Sequence, residues 1–76
     1  MFDKVNELIK TLEPITDWSM VKKGDKIFNK CSLDVNYIDI FNRIEHWSDN
    51  RVVVFYTNYK GESWHGDVEG YWYYVK

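Results

Sequence analysis

The sequence predicts an α+β domain: an N-terminal amphipathic helix packed on a small, strongly bent antiparallel sheet of about five strands. Three observations lead there. Phe2, Val5, Leu8, Ile9 and Leu12 recur at helical spacing, with Asp3, Lys4, Asn6, Glu7, Lys10 and Thr11 between them. The second half carries short β-prone runs separated by turn residues, above all "RVVVFYTNY" (51–59) and the closing "EGYWYYVK" (69–76). The chain has 76 residues, with four Trp, six Tyr and four Phe. A single domain this small buries only about 60% of its surface, and these rings supply a core without a metal or disulfide.

Each element has its own signal. The helix should run about three turns and stop at Pro14. Lys23, Gly24 and Asp25 form a turn, and Lys26 to Cys31 reads as a short strand with Ile27 and Phe28 on opposite faces. Residues 35–47 fit two patterns. As a helix they align Tyr37, Ile40, Phe41, Ile44 and Trp47; as a strand they place Ile38, Ile40 and Ile44 together, interrupted by Asn42 and His46. The β-prone composition and the hairpin-like "WSDN" that follows favour the strand. Arg51–Tyr59 is the most secure strand. Lys60-Gly61 turns it into a short strand "ESWH", and Gly66-Asp67 turns that into the last strand. An SH3-like barrel fits these lengths, and residues 1–76 form one domain.

The two best strands share a peculiarity. Val52, Val54 and Tyr56 alternate with Val53, Phe55, Thr57 and Tyr59, and Tyr71, Tyr73 and Val75 alternate with Trp72 and Tyr74, so both faces are apolar. A sheet wet on one side alternates apolar with polar. Three arrangements account for the excess: a curled sheet with a helix over part of its outside, a homodimer, or a binding face. The polar breaks mark the outer face, since Arg51 and Thr57 go with Val53 and Phe55, and Lys76 goes with Trp72 and Tyr74. The expected partner-binding residues are therefore Phe55, Tyr59, Trp64, Trp72 and Tyr74, because Tyr and Trp favour sites with one end buried and one wet.

Charge and motifs exclude other classes. The net charge of −2 is far from the strongly basic balance of a dedicated nucleic-acid binder. Cys31 is the one cysteine, so no internal disulfide or cysteine metal cluster forms within a chain. The N-terminus has no unbroken apolar run, so neither a signal peptide nor a membrane span is expected, and the reading is cytoplasmic. His65, Asp67 and Glu69 alternate like metal ligands, but Gly66 favours a turn with solvated carboxylates. Nothing places Cys31 beside a histidine as nucleophile and base. No enzyme, metal or cofactor is expected.

"VKKGDKIFNK" is the basic cluster: Lys22, Lys23, Lys26 and Lys30 around Phe28 could grip a phosphate backbone while a base stacks. Its bland alternative is a solvated hairpin whose lysines protect a sheet edge. The overall reading is a small non-enzymatic protein-interaction domain that binds another protein through an aromatic sheet face. A nucleic-acid-binding small barrel is the runner-up, and a homodimer the third. Trp64, Trp72 and Tyr74 on the lysine side would favour nucleic acid, and beside Glu62 and Asp67 would disfavour it. Alanine and glutamine are absent while Lys, Asn, Ile and Tyr abound. Such A/T-rich codon usage suggests a phage or mobile-element protein that modulates or inhibits a host protein.

Overall fold

Pro14 decides how the chain starts. It forces the residue before it into an extended conformation, so helical geometry cannot run through Glu13. The helix α1 covers only Lys4–Ile9, six residues. The Thr11 N–H and hydroxyl both donate to the Leu8 carbonyl, at 2.9 and 2.7 Å, and the Leu12 N–H donates to Ile9 O at 3.2 Å. These three-residue turns close the helix early. Glu13–Pro14 then forms a two-residue strand, β1. The computed structural model describes residues 4–32, 34–48, 50–68 and 72–75; Phe2, Glu69, Tyr71 and Lys76 lie outside them.

The fold is therefore not the expected α+β domain. Among the described residues it is a six-stranded antiparallel sheet with one short helix and one 3-10 turn, and no N-terminal amphipathic helix packs on it. The spacing of Val5, Leu8, Ile9 and Leu12 is helical, but six residues lack the length to hold a helix without extensive packing. All the extensive contacts between elements are between strands.

Local chemistry sets the remaining elements. Asp17 caps the 3-10 turn Trp18–Met20, accepting from the Ser19 N–H at 3.0 Å and the Ser19 hydroxyl at 2.6 Å. The expected turn at Lys23–Asp25 is present: Gly24 takes φ +97°, and the Asp25 carboxylate accepts from the Lys22 N–H at 2.9 Å. Strand β2 is Lys26–Asn29, shorter than expected, because the Asn29 side chain accepts from Cys31 N–H at 2.7 Å and turns the chain. The ambiguous 35–47 segment is a strand from Asp39 on, β3 (Asp39–Ser48), with register shifts between Phe41 and Arg43 and between His46 and Ser48. Strand β4 is Arg51–Thr57. Asn58 organises the next turn, its side-chain oxygen accepting from Lys60 and Glu62 N–H at 2.9 Å each, with Gly61 at φ +82°. Strand β5, Ser63–Asp67, runs straight through Gly66-Asp67, which pairs with Val54 and Val53 instead of turning. Strand β6 is Trp72–Tyr74.

Among the described residues the order β1-β6-β2-β3-β4-β5 leaves β1 and β5 as edges, so the sheet they form is open and not a closed SH3-like barrel. It is nevertheless sharply bent. From β5 to β6 a flat sheet spans four strand spacings, about 19 Å, while the five residue steps from Asp67 to Trp72 reach about 16–18 Å. Even so, the Trp72 indole N–H donates to the Asp67 carbonyl at 3.1 Å. Trp72 also meets Tyr56 edge-on at 5.1 Å between centroids, although β2 and β3 separate their strands. The sheet thus curls around Ile15, Val21, Ile27, Phe41, Val54 and Trp72, with Trp18, Ile44, Tyr56, Val68 and Tyr74 against them. Register places Phe28, Val53 and Phe55 on the other, convex face, where Phe28 and Val53 are also fully buried.

Candidate binding surface at the β5 edge

The two sheet edges differ in chemistry. β1 ends in Pro14, which has no N–H to offer a further strand and protects that edge. β5 has no such device. Asn58 N–H donates to Glu62 O at 2.8 Å and Val68 N–H to Val52 O at 3.2 Å. Alternation in an antiparallel ladder then turns the backbone groups of Glu62, Trp64, Gly66 and Val68 toward β4. Those of Ser63, His65 and Asp67 turn outward, on the side where β5 has no neighbour.

Beside this edge, on the concave side, lies an open groove of about 650 Å³. Tyr37, Tyr56, Tyr59 and Trp64 wall it, Asn29, Cys31, Ser32 and Asn58 complete its rim, and Asp39 lies within it. Trp64 reaches it because it pairs with Tyr56 across β4 and β5; Tyr59 and Trp64 are 49% and 54% exposed. The Tyr37 and Tyr59 rings stack in parallel at 4.0 Å. Hydrogen bonding between them, followed by their mutual charge repulsion, raises the Tyr37 hydroxyl above its ordinary pKa. The Trp64 indole N–H donates to Glu62 at 3.4 Å, and Asn58 donates to the same oxygen at 3.0 Å. These bonds, that from Asn58 first, hold the Glu62 carboxyl below its usual value.

Asp39 is the unusual member. It opens β3 opposite Ile27 and is only 7% exposed. Its carboxylate has no hydrogen bond or ion pair among the described residues. Among the described residues no side-chain oxygen or nitrogen sealed from solvent lacks a partner, so the unpartnered Asp39 oxygens keep some contact with solvent. Burial pushes this carboxyl up to about 6, and the phenol of Tyr56 is raised by burial and then by the Asp39 charge. Sequence reading missed Asp39, Tyr37 and Tyr56 as a set; the available signal was an Asp inside the apolar run "YIDIF" (37–41).

On the convex face, Trp47, Phe55 and His65 form a second aromatic cluster with centroids 5.2–6.1 Å apart. Arg43 lies over Phe55 at 4.2 Å and Arg51 over Trp47 at 5.5 Å. Glu45 accepts from Trp47 at 3.0 Å and from Arg43 at 2.8 Å. Those two bonds, Trp47 first, hold its carboxyl low. The charges here are already paired, unlike Asp39.

The expected outward set does not share one surface. Trp72 is 3% exposed and belongs to the core, and Tyr74 is half-buried against it. Phe55 is half-buried on the convex face, whereas Tyr59 and Trp64 meet at the groove. β4 ends at Thr57, so Tyr59 leaves the alternation that would keep it on the Phe55 side, and the curl of the sheet toward the Trp72 side sets inside and outside for β6.

The residues of the alternative site separate as well. Lys22, Lys23, Lys26 and Lys30 are exposed, but Phe28 is completely buried and cannot stack on a base. Lys26 lines a groove with Glu13, Asp17 and Asp25. Of the three rings that bear on that alternative, Trp64 donates to Glu62, Trp72 is buried with its indole N–H on the Asp67 backbone carbonyl, and Tyr74 lines the groove that holds Lys26 with Glu13, Asp17 and Asp25. Asp67 pairs with Arg51 at 3.3 Å. Among the described residues no three His, Cys, Asp or Glu are grouped to hold a metal, and Glu69 lies outside them. Cys31 is exposed on the groove rim, which neither His46 nor His65 lines. No described helix is long and apolar enough to cross a membrane. No protein-family model, curated protein or solved structure matches the chain.

Proposed function

We propose that the protein is a non-enzymatic interaction domain that binds another protein by taking an extended segment of it as a seventh strand on β5. The supporting observation is the unprotected edge, with the backbone groups of Ser63, His65 and Asp67 directed outward and exposed aromatics on both sides of it. In strand addition, main-chain hydrogen bonds supply affinity and pockets for alternate side chains supply selectivity. Trp64 and Tyr59 offer such contacts on the concave side, and His65 with Trp47 on the convex side. A phage or mobile-element origin, with a host protein as target, accords with the abundance of Lys, Asn, Ile and Tyr, residues of A/T-rich codons.

The test is selection of linear peptides from a random display library on the full chain, followed by amide NMR of the bound state. Selected peptides should protect the Ser63, His65 and Asp67 amides from exchange. His65→Pro removes an outward N–H while leaving the β4 ladder intact; it should remain folded by circular dichroism and lose the peptides. His65→Lys, which adds charge to the edge, should weaken them. Binding that maps elsewhere, or survives both variants, overturns the reading. A dimer in solution that His65→Pro converts to monomer would assign the edge to a second copy of the chain instead.

A further inference from the structure

We infer that the groove beside β5 is a guanidinium site, which receives an arginine side chain of the segment bound at the edge. The inference rests on the strand-addition reading for the source of the arginine, but the site stands on its own observations. Asp39 is more than nine-tenths buried, has no hydrogen bond or ion pair among the described residues, keeps its oxygens in touch with solvent, and lines the groove. A buried carboxylate without a counter-charge is costly unless a cation reaches it. None of the described residues lining the groove is basic. Lys60 lies over Tyr59 at 5.7 Å and outside the described lining.

The walls match the same class of ligand. Tyr37, Tyr56, Tyr59 and Trp64 line the same groove as the acid, and aromatic faces attract cations. Guanidinium is planar and weakly hydrated, stacks on such rings, and can donate two parallel hydrogen bonds to one carboxylate. The side-chain oxygens of Asn29 and Asn58 on the rim can accept its remaining N–H groups. An ammonium is strongly hydrated and cannot stack flat, so lysine fits less well. The groove is also placed for strand addition, because Trp64 belongs to β5 itself and its side chain forms one wall.

The probe is Nα-acetyl-arginine methylamide, titrated into the full-length chain and followed by the Trp64 indole resonance and the Asp39 side-chain carboxyl carbon. Saturable millimolar binding that shifts both is expected. The citrulline analogue, neutral and nearly isosteric, should bind at least about tenfold more weakly, a difference of about 1.4 kcal/mol, and the lysine analogue should fall between them. Asp39→Asn should reduce arginine binding by a similar factor while the protein stays folded. Equal binding of citrulline and arginine, no saturation, or insensitivity to Asp39→Asn overturns the inference. Lysine binding as tightly as arginine overturns the guanidinium assignment. Peptides that bind the edge while the arginine probe fails would leave strand addition standing and remove this site; the converse would do the opposite.

Discussion

Asp39→Asn should stabilise the protein at neutral pH and remove one component of its pH dependence. Burial raises the Asp39 carboxyl from 3.8 to about 6. A carboxyl raised on folding is protonated more readily in the folded chain, so folding takes up a proton between about pH 4 and 6. Stability from this group is therefore greatest below pH 4, falls as pH rises through that window, and stays low above about pH 6. At about 1.4 kcal/mol per unit the shift is equivalent to about 3 kcal/mol. The carboxylate keeps some contact with solvent, so screening reduces this to about 1–2 kcal/mol. Asparagine keeps the shape and cannot ionise.

Urea unfolding of both proteins, followed by tryptophan fluorescence at about pH 4, 5, 6 and 7.5, isolates the effect, since every other titrating group is common to both. The variant should match the parent near pH 4 and exceed it by about 1–2 kcal/mol at pH 7.5. A difference independent of pH would refute the reasoning. A parent that gains on the variant as pH rises would refute it more sharply, because that is the behaviour of a carboxylate already paired in the fold. Together with the arginine titration, the substitution would show a residue whose presence lowers stability in the free protein and raises affinity for its ligand.

Trp72→Ala should cost about 3–5 kcal/mol because the ring is 3% exposed at the centre of the core; Trp64→Ala, at a site 54% exposed, should cost less than about 1 kcal/mol. Thermal circular dichroism separates the two outcomes. Gly61→Ala places a side chain at φ +82° and should lower stability by about 1–2 kcal/mol, a fall in Tm of roughly 5–15 °C for a chain of this size. Titration with mixed-sequence single-stranded oligonucleotides at low salt should produce no saturable tryptophan quenching, since Phe28 is buried and Lys26 lies among Glu13, Asp17 and Asp25. Saturable quenching that weakens steeply with salt would restore the nucleic-acid reading.

By itself the sequence determined the local half of this structure. Alternation in Arg51–Thr57 identified a strand and paired Val53 with Phe55 and Val54 with Tyr56, and Gly24 and Gly61 marked turns that need positive φ. These are properties of a few adjacent residues, so they can be read without knowing the rest of the chain. The C-terminal end of α1 falls earlier than expected because the 3.6-residue periodicity reports amphipathicity, whereas Pro14 and Thr11 end the helix through backbone chemistry. Only the tertiary structure decided which face of β6 is inside. Alternation gives two faces of equal standing, and the curl that brings Trp72 against Tyr56 and Asp67 breaks the tie. The candidate groove has the same origin: Tyr37, Asp39, Tyr56, Tyr59 and Trp64 come from three separate stretches of chain. No local pattern brings them together, because the long bent sheet, and not any one segment, sets the distance between them.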